Sequence, residues 1–80
     1  MNRPLYEIAR DIHSDWKAVQ TNVHHPAAPY LRAMYALDSV SDNYYEDSAQ
    51  SVVLYFLANA NTWRGDVARR IKAELKAMTK

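Results

Sequence analysis

The chain has 80 residues, 49% hydrophobic and 24% charged, with one glycine, three prolines and no cysteine. That composition excludes a disulfide framework, a thiolate zinc site, a cysteine nucleophile and a glycine-built phosphate loop, and it is too apolar for a disordered tail. A net charge of +1 gives no global pull toward nucleic acid or membrane.

The charge is unevenly placed. Residues 1–47 carry four basic and seven acidic side chains, residues 48–80 six basic and two acidic. A single helical domain over 1–80 is expected. At this size about 60% of the unfolded surface is buried, which leaves little room for a deep, dry active site.

Leu5, Ile8, Ile12, Trp16 and Val19 recur at steps of three and four, which predicts a helix over 4–20 with Pro4 in its first turn. Thr21–Pro26 reads as a connection, because the residue before a proline is pushed out of the helical region. Leu31, Met34, Tyr35 and Leu37 predict a second helix over 28–38, with Pro29 in its first turn. Residues 39–47 lack a period and form the longest predicted loop, with room for one helical turn.

Asp47 and Gln50 have capping-box spacing, which predicts a third helix over 48–61. Ala49, Val52, Val53, Phe56, Leu57 and Ala60 share one face, and Leu54 and Tyr55 fall outside it. This helix is therefore expected to be the most enclosed. Trp63, Val67, Ile71, Leu75 and Met78 predict a fourth helix over 63–78, with Thr62 as its N-cap and Asp66 paired to Arg70. The fold class expected is all-α, a bundle of four helices. Its core would be Leu5, Ile8, Ile12, Trp16, Leu31, Met34, Val53, Phe56, Leu57, Val67, Ile71 and Leu75.

Candidate chemistry is sparse. His24 and His25 project in different directions before a proline, and His13 stands apart, so no metal site is expected. The run Asp38, Asp42, Asn43, Glu46, Asp47 has calcium-loop-like intervals. It lacks the glycine at the sixth place and has Ala49 where the twelfth-place glutamate belongs. Those carboxylates sit in a solvated segment, and serines 39, 41, 48 and 51 have no histidine at a recognisable spacing. No catalytic residue, cofactor or metal is assigned, and no enzymatic activity is expected. Arg64-Gly65-Asp66, the adhesion tripeptide, is read as chance.

Two surfaces carry the functional readings. Tyr44 and Tyr45 are consecutive, so both cannot turn into one core, and an exposed tyrosine beside Glu46 and Asp47 suits a protein contact. On the predicted last helix Arg69, Lys72, Lys76 and Lys80 fall within an arc of about 80°, a ridge able to track phosphates or simply a solvated face. The acidic loop docking on that basic helix is a further alternative. A monomer and a homodimer both fit. The longest apolar run, Val52–Ala58, is far short of the roughly 18 residues that cross a bilayer. No apolar secretory core opens the chain, so a cytoplasmic location without membrane attachment is expected.

The segment 51–76, SVVLYFLANANTWRGDVARRIKAELK, resembles a group of short bacterial proteins from Gram-positive gut bacteria and their mobile elements. Leu5–Arg10, Asp15-Trp16-Lys17 and Pro29-Tyr30-Leu31 are similar to the same group. The resemblance implies an accessory protein of a mobile element and brings no catalytic residue, cofactor or partner with it.

Overall fold

In a computed structural model, which describes residues 3–79, the leading helix α1 runs over Leu5–Asp15. Its stripe of Leu5, Ile8, Ala9 and Ile12 is buried. Pro4 stands at the N-cap, just outside the helix, and has no side chain to offer the free amides. The chain itself supplies the acceptors. The Leu5 N–H donates to the Asp38 carbonyl at 2.8 Å, and the Tyr6 N–H to the Leu37 carbonyl at 3.0 Å.

The expected helix over 4–20 is broken at Trp16, whose backbone is extended at φ −98°, ψ 96°. A short helix α2, Lys17–Thr21, follows. Trp16 is drawn off the helical path because its ring stacks on Trp63 at 5.6 Å and meets His25 and Phe56 edge-on. The break frees carbonyls at the end of α1, and the Gln20 amide donates to two of them, those of His13 and Ser14.

Helix α3 covers Ala28–Met34, with Pro29 in its first turn. It stops short of the expected residue 38 and tightens through Tyr35, Ala36 and Leu37, whose N–H groups each bond three residues back. The expected loop then contains an antiparallel hairpin, β1 (Asn43–Tyr44) and β2 (Asp47–Ser48), with Tyr44 opposite Asp47.

Helix α4, Ala49–Ala58, is capped by Ser48, whose Oγ accepts from the Ser51 N–H at 3.1 Å. The cap is thus one residue later than the Asp47–Gln50 spacing proposed; Gln50 instead donates to the Thr79 carbonyl. Helix α4 is not enclosed on all sides. Val52, Val53 and Phe56 are buried, while Leu54 is 48% and Tyr55 53% exposed.

The last helix, α5, begins at Asp66 rather than at residue 63. Gly65 holds φ at +116°, a conformation that side chains other than glycine's rarely adopt. The turn it permits releases Trp63 from helical geometry and lets its indole enter the core. Thr62 therefore caps nothing, and Asp66 faces Arg69 at 3.6 Å instead of Arg70.

The result is a mostly helical globule of five helices and one two-stranded hairpin among the described residues, not a simple four-helix bundle. Ten of the twelve expected core residues are buried; Leu57 and Val67 are half-buried against them. Val67 lies at the rim of an open cleft with Asp11, Ser14, Asp15 and Arg70, which explains its exposure. Trp63, 2% exposed, is the largest of the buried residues that the expected set lacks, which also include Leu37 and Met78.

Arg3 ties the two long helices together. Its guanidinium makes two parallel bonds to Glu74 at 2.8 and 2.9 Å and a third to Asp11 at 2.6 Å. Those hydrogen bonds, Glu74's foremost, raise the Arg3 pKa further above its ordinary value. The site is part-exposed, so Arg3→Ala should cost only about 1 kcal/mol in urea melts at low salt, and less in high salt. A cost that salt leaves unchanged would mean that the arginine stem, not its charge, is what matters.

Candidate functional site

The hairpin is held from below by polar contacts that its sequence supplies. The Asp42 carboxylate accepts from the Asp38 and Ser39 N–H groups at 2.9 and 3.1 Å, and the Asp42 carbonyl accepts from Ala49. Ser39 and Ser41 share a hydroxyl bond at 2.7 Å. Asp42 thus spends its carboxylate organising backbone, as aspartate commonly does at turns.

Tyr44 and Tyr45 diverge. Tyr44 packs partly against the core, whereas Tyr45, the first residue of the two-residue turn, is 87% exposed. Their rings meet edge to face at 4.8 Å. Tyr45 has φ +56°, in the left-handed region, and is the one non-glycine described residue found there. Tight hairpin turns normally put glycine, asparagine or aspartate at such a position. Glu46 and Asp47 are exposed beside it. Together the four residues make a tip whose exposed tyrosine ring is flanked by two exposed carboxylates.

The basic ridge is less uniform than its spacing implied. Arg69 and Lys76 are exposed. Lys72 is half-buried, its Nζ donating to the Trp63 carbonyl at 2.6 Å and lying 5.9 Å from the Trp63 ring. Desolvation, with Lys76 and Arg64 nearby, lowers the Lys72 pKa. Its ammonium serves the chain's own backbone. Lys80 lies outside the described residues. Among the described residues no ion pair joins the acidic hairpin to α5, so that intramolecular docking is not observed.

Among the described residues no cluster of three or more histidine, aspartate or glutamate side chains is placed to hold a metal. His25 Nδ1 accepts from the Ala27 N–H at 3.1 Å and so is already occupied. Ser48 and Ser51 bond to each other at 3.0 Å within the α4 cap. No described helix is long and apolar enough to cross a membrane.

Sequence reasoning also missed the stack of Tyr30 on Tyr55 at 5.5 Å, which bridges α3 and α4 at the surface. Its signal was present in Leu54 and Tyr55, which lie off the buried face of their helix. Comparison with known protein families, with curated proteins and with solved structures gave no match.

Proposed function

We propose that the chain is a non-enzymatic protein-interaction module that docks a basic partner surface through Tyr44, Tyr45, Glu46 and Asp47. The observation that carries this reading is Tyr45, 87% exposed and held at φ +56°. A left-handed backbone costs a residue with a side chain about 1–2 kcal/mol. The edge-to-face contact with Tyr44 offsets part of that, but most of the ring stays uncovered and turn chemistry favours glycine, asparagine or aspartate there. A partner does account for it: a tyrosine buries much area for the loss of two side-chain torsions. The adjacent carboxylates steer a basic surface toward it. The resemblance of residues 51–76 supports placing such a module among the accessory proteins of a mobile element.

Panning a displayed random-peptide library on the immobilised protein tests this. Wild type should enrich lysine- and arginine-bearing peptides that Tyr45→Gly no longer retains. The same substitution should leave stability unchanged or raise it by about 0.5 kcal/mol, since relief of the turn slightly exceeds the entropy glycine adds to the unfolded chain. Selected peptides that bind Tyr45→Gly as well as wild type overturn the assignment.

The exposed Arg69 and Lys76 support a second reading, binding of nucleic acid along α5. Retention of random duplex DNA at low salt, weakened by Lys76→Glu, is the result that would move the function to that face. Lys72 is a poor candidate for such contact, because its amine is engaged by Trp63.

A further inference from the structure

Arg64, Arg69 and Lys72 line one open cleft of about 320 Å³, together with Trp63, Gly65 and Ala68. Among the described residues that line it there is no carboxylate. Gly65 leaves its backbone bare there, since nothing lies within 4 Å of the point where a Cβ would stand. Lys72 is half-buried and folded onto the Trp63 carbonyl, which takes one of its three N–H donors. Among the described residues no carboxylate pairs with Lys72 or Arg64, and Arg69 meets Asp66 only across 3.6 Å with both side chains largely exposed. Desolvation, then the like charges of Lys76 and Arg64, lower the Lys72 pKa. Its ammonium is thus half out of water beside other cations, with no anion to offset it.

We propose that this cleft binds a phosphate group, free or carried as a monoester by a small molecule, through Arg64, Arg69 and Lys72. A partly desolvated ammonium without a counter-ion is unfavourable, and a dianion entering the cleft supplies one. Each guanidinium presents paired donors that match phosphate oxygens, and Lys72 adds a point charge held in place by Trp63. Three cations suit a doubly charged monoester better than the singly charged phosphate of a nucleic-acid backbone. The size agrees, because small-molecule sites begin at about 300 Å³. A duplex would lie along outward residues such as Arg69 and Lys76, whereas Lys72 lines the cleft, within reach of a group small enough to enter. The cleft is open to water and salt, so the expected Kd is about 1 mM. It shares no residue with the Tyr44–Asp47 tip, and the two assignments can fail separately.

Titration with sodium phosphate, followed through the backbone amide shifts of the protein and matched against sodium chloride at equal ionic strength, tests this. The Gly65 and Arg69 amides should shift to saturation with phosphate and not with chloride. Glycerol phosphate should bind as well, and whichever of the two binds tighter tells an organic ester from free phosphate as the natural source. Dimethyl phosphate, with one charge, should bind at least about fivefold more weakly. Arg64→Gln and Lys72→Met should each raise the phosphate Kd at least about fivefold, while Lys76→Gln and Tyr45→Gly should change it less than about twofold. Far-UV circular dichroism and the urea midpoint verify folding, and the exposed Arg64 decides the matter should Lys72→Met unfold. No saturable shift up to about 20 mM phosphate overturns the proposal. So do shifts that chloride reproduces, folded Arg64 or Lys72 variants that bind like wild type, and dimethyl phosphate binding as tightly as the monoester. An equal loss in Lys76→Gln also overturns it, since contact would then spread along α5 as a nucleic acid requires.

Discussion

Phe56→Ala should lower the unfolding free energy by about 3–5 kcal/mol, the usual cost of removing a fully buried ring. Phe56 has no exposed surface and meets Trp16 and Trp63 edge-on, with ring centres 6.2 and 6.4 Å away. It lies on α4, which packs against both α3 and α5, so the cavity opens where several elements converge and cannot all close in. Domains of this kind have about 5–15 kcal/mol of total stability, so the variant should be partly unfolded at moderate temperature. Phe56→Leu keeps most of the volume and should lose less than about 1.5 kcal/mol. Urea melts with an unchanged m-value give both figures. A loss under about 1 kcal/mol for Phe56→Ala would show that the core is centred elsewhere.

Trp63→Ala should cost a comparable amount, about 3–5 kcal/mol, although Trp63 belongs to no helix. Three contacts converge on it. Its ring stacks on Trp16 with planes 16° apart, its Nε1–H donates to Asp15 at 2.9 Å, and its carbonyl accepts from Lys72. The carbonyl contact survives the substitution, since it is made by the backbone. Asp15→Ala removes only the indole's acceptor and should cost about 1 kcal/mol. If Asp15→Ala proves as damaging as Trp63→Ala, the hydrogen bond rather than the stack anchors this segment. A near-neutral Trp63→Ala would contradict the buried position itself.

What was readable in the sequence, and what was not, divides along a physical line. Spacing records which residues are buried. Leu5, Ile8 and Ile12 on α1, and Ile71, Leu75 and Met78 on α5, are buried as their spacing required. Spacing does not record whether the helix between them is continuous. Trp16 and Val19 extend the stripe of α1 and are buried, yet the backbone breaks at Trp16 for the sake of ring contacts distant in sequence. Trp63 stands at a helical interval before Val67, but Gly65 at φ +116° sits between them and stops the helix. The chain's lone glycine was the local warning there.

The hairpin was harder to foresee, because its turn begins with tyrosine where turn chemistry favours glycine. The exposed tyrosine was expected from adjacency alone; which of the two it would be depended on the turn. Lys72 was placed on a solvated ridge by its angle around the helix. Its amine instead turns to the Trp63 carbonyl, a partner that exists only because Trp63 lies outside the helix.

The amides of Leu5 and Tyr6 find their acceptors at Asp38 and Leu37. During synthesis the first turn of α1 is therefore made long before the groups that complete it have been added. Until then those two N–H groups have only water, and a helix with an unfinished start frays. The start of α1 is thus completed only once residues 37 and 38 exist, whereas α4, whose cap Ser48 is its own neighbour, needs no such wait.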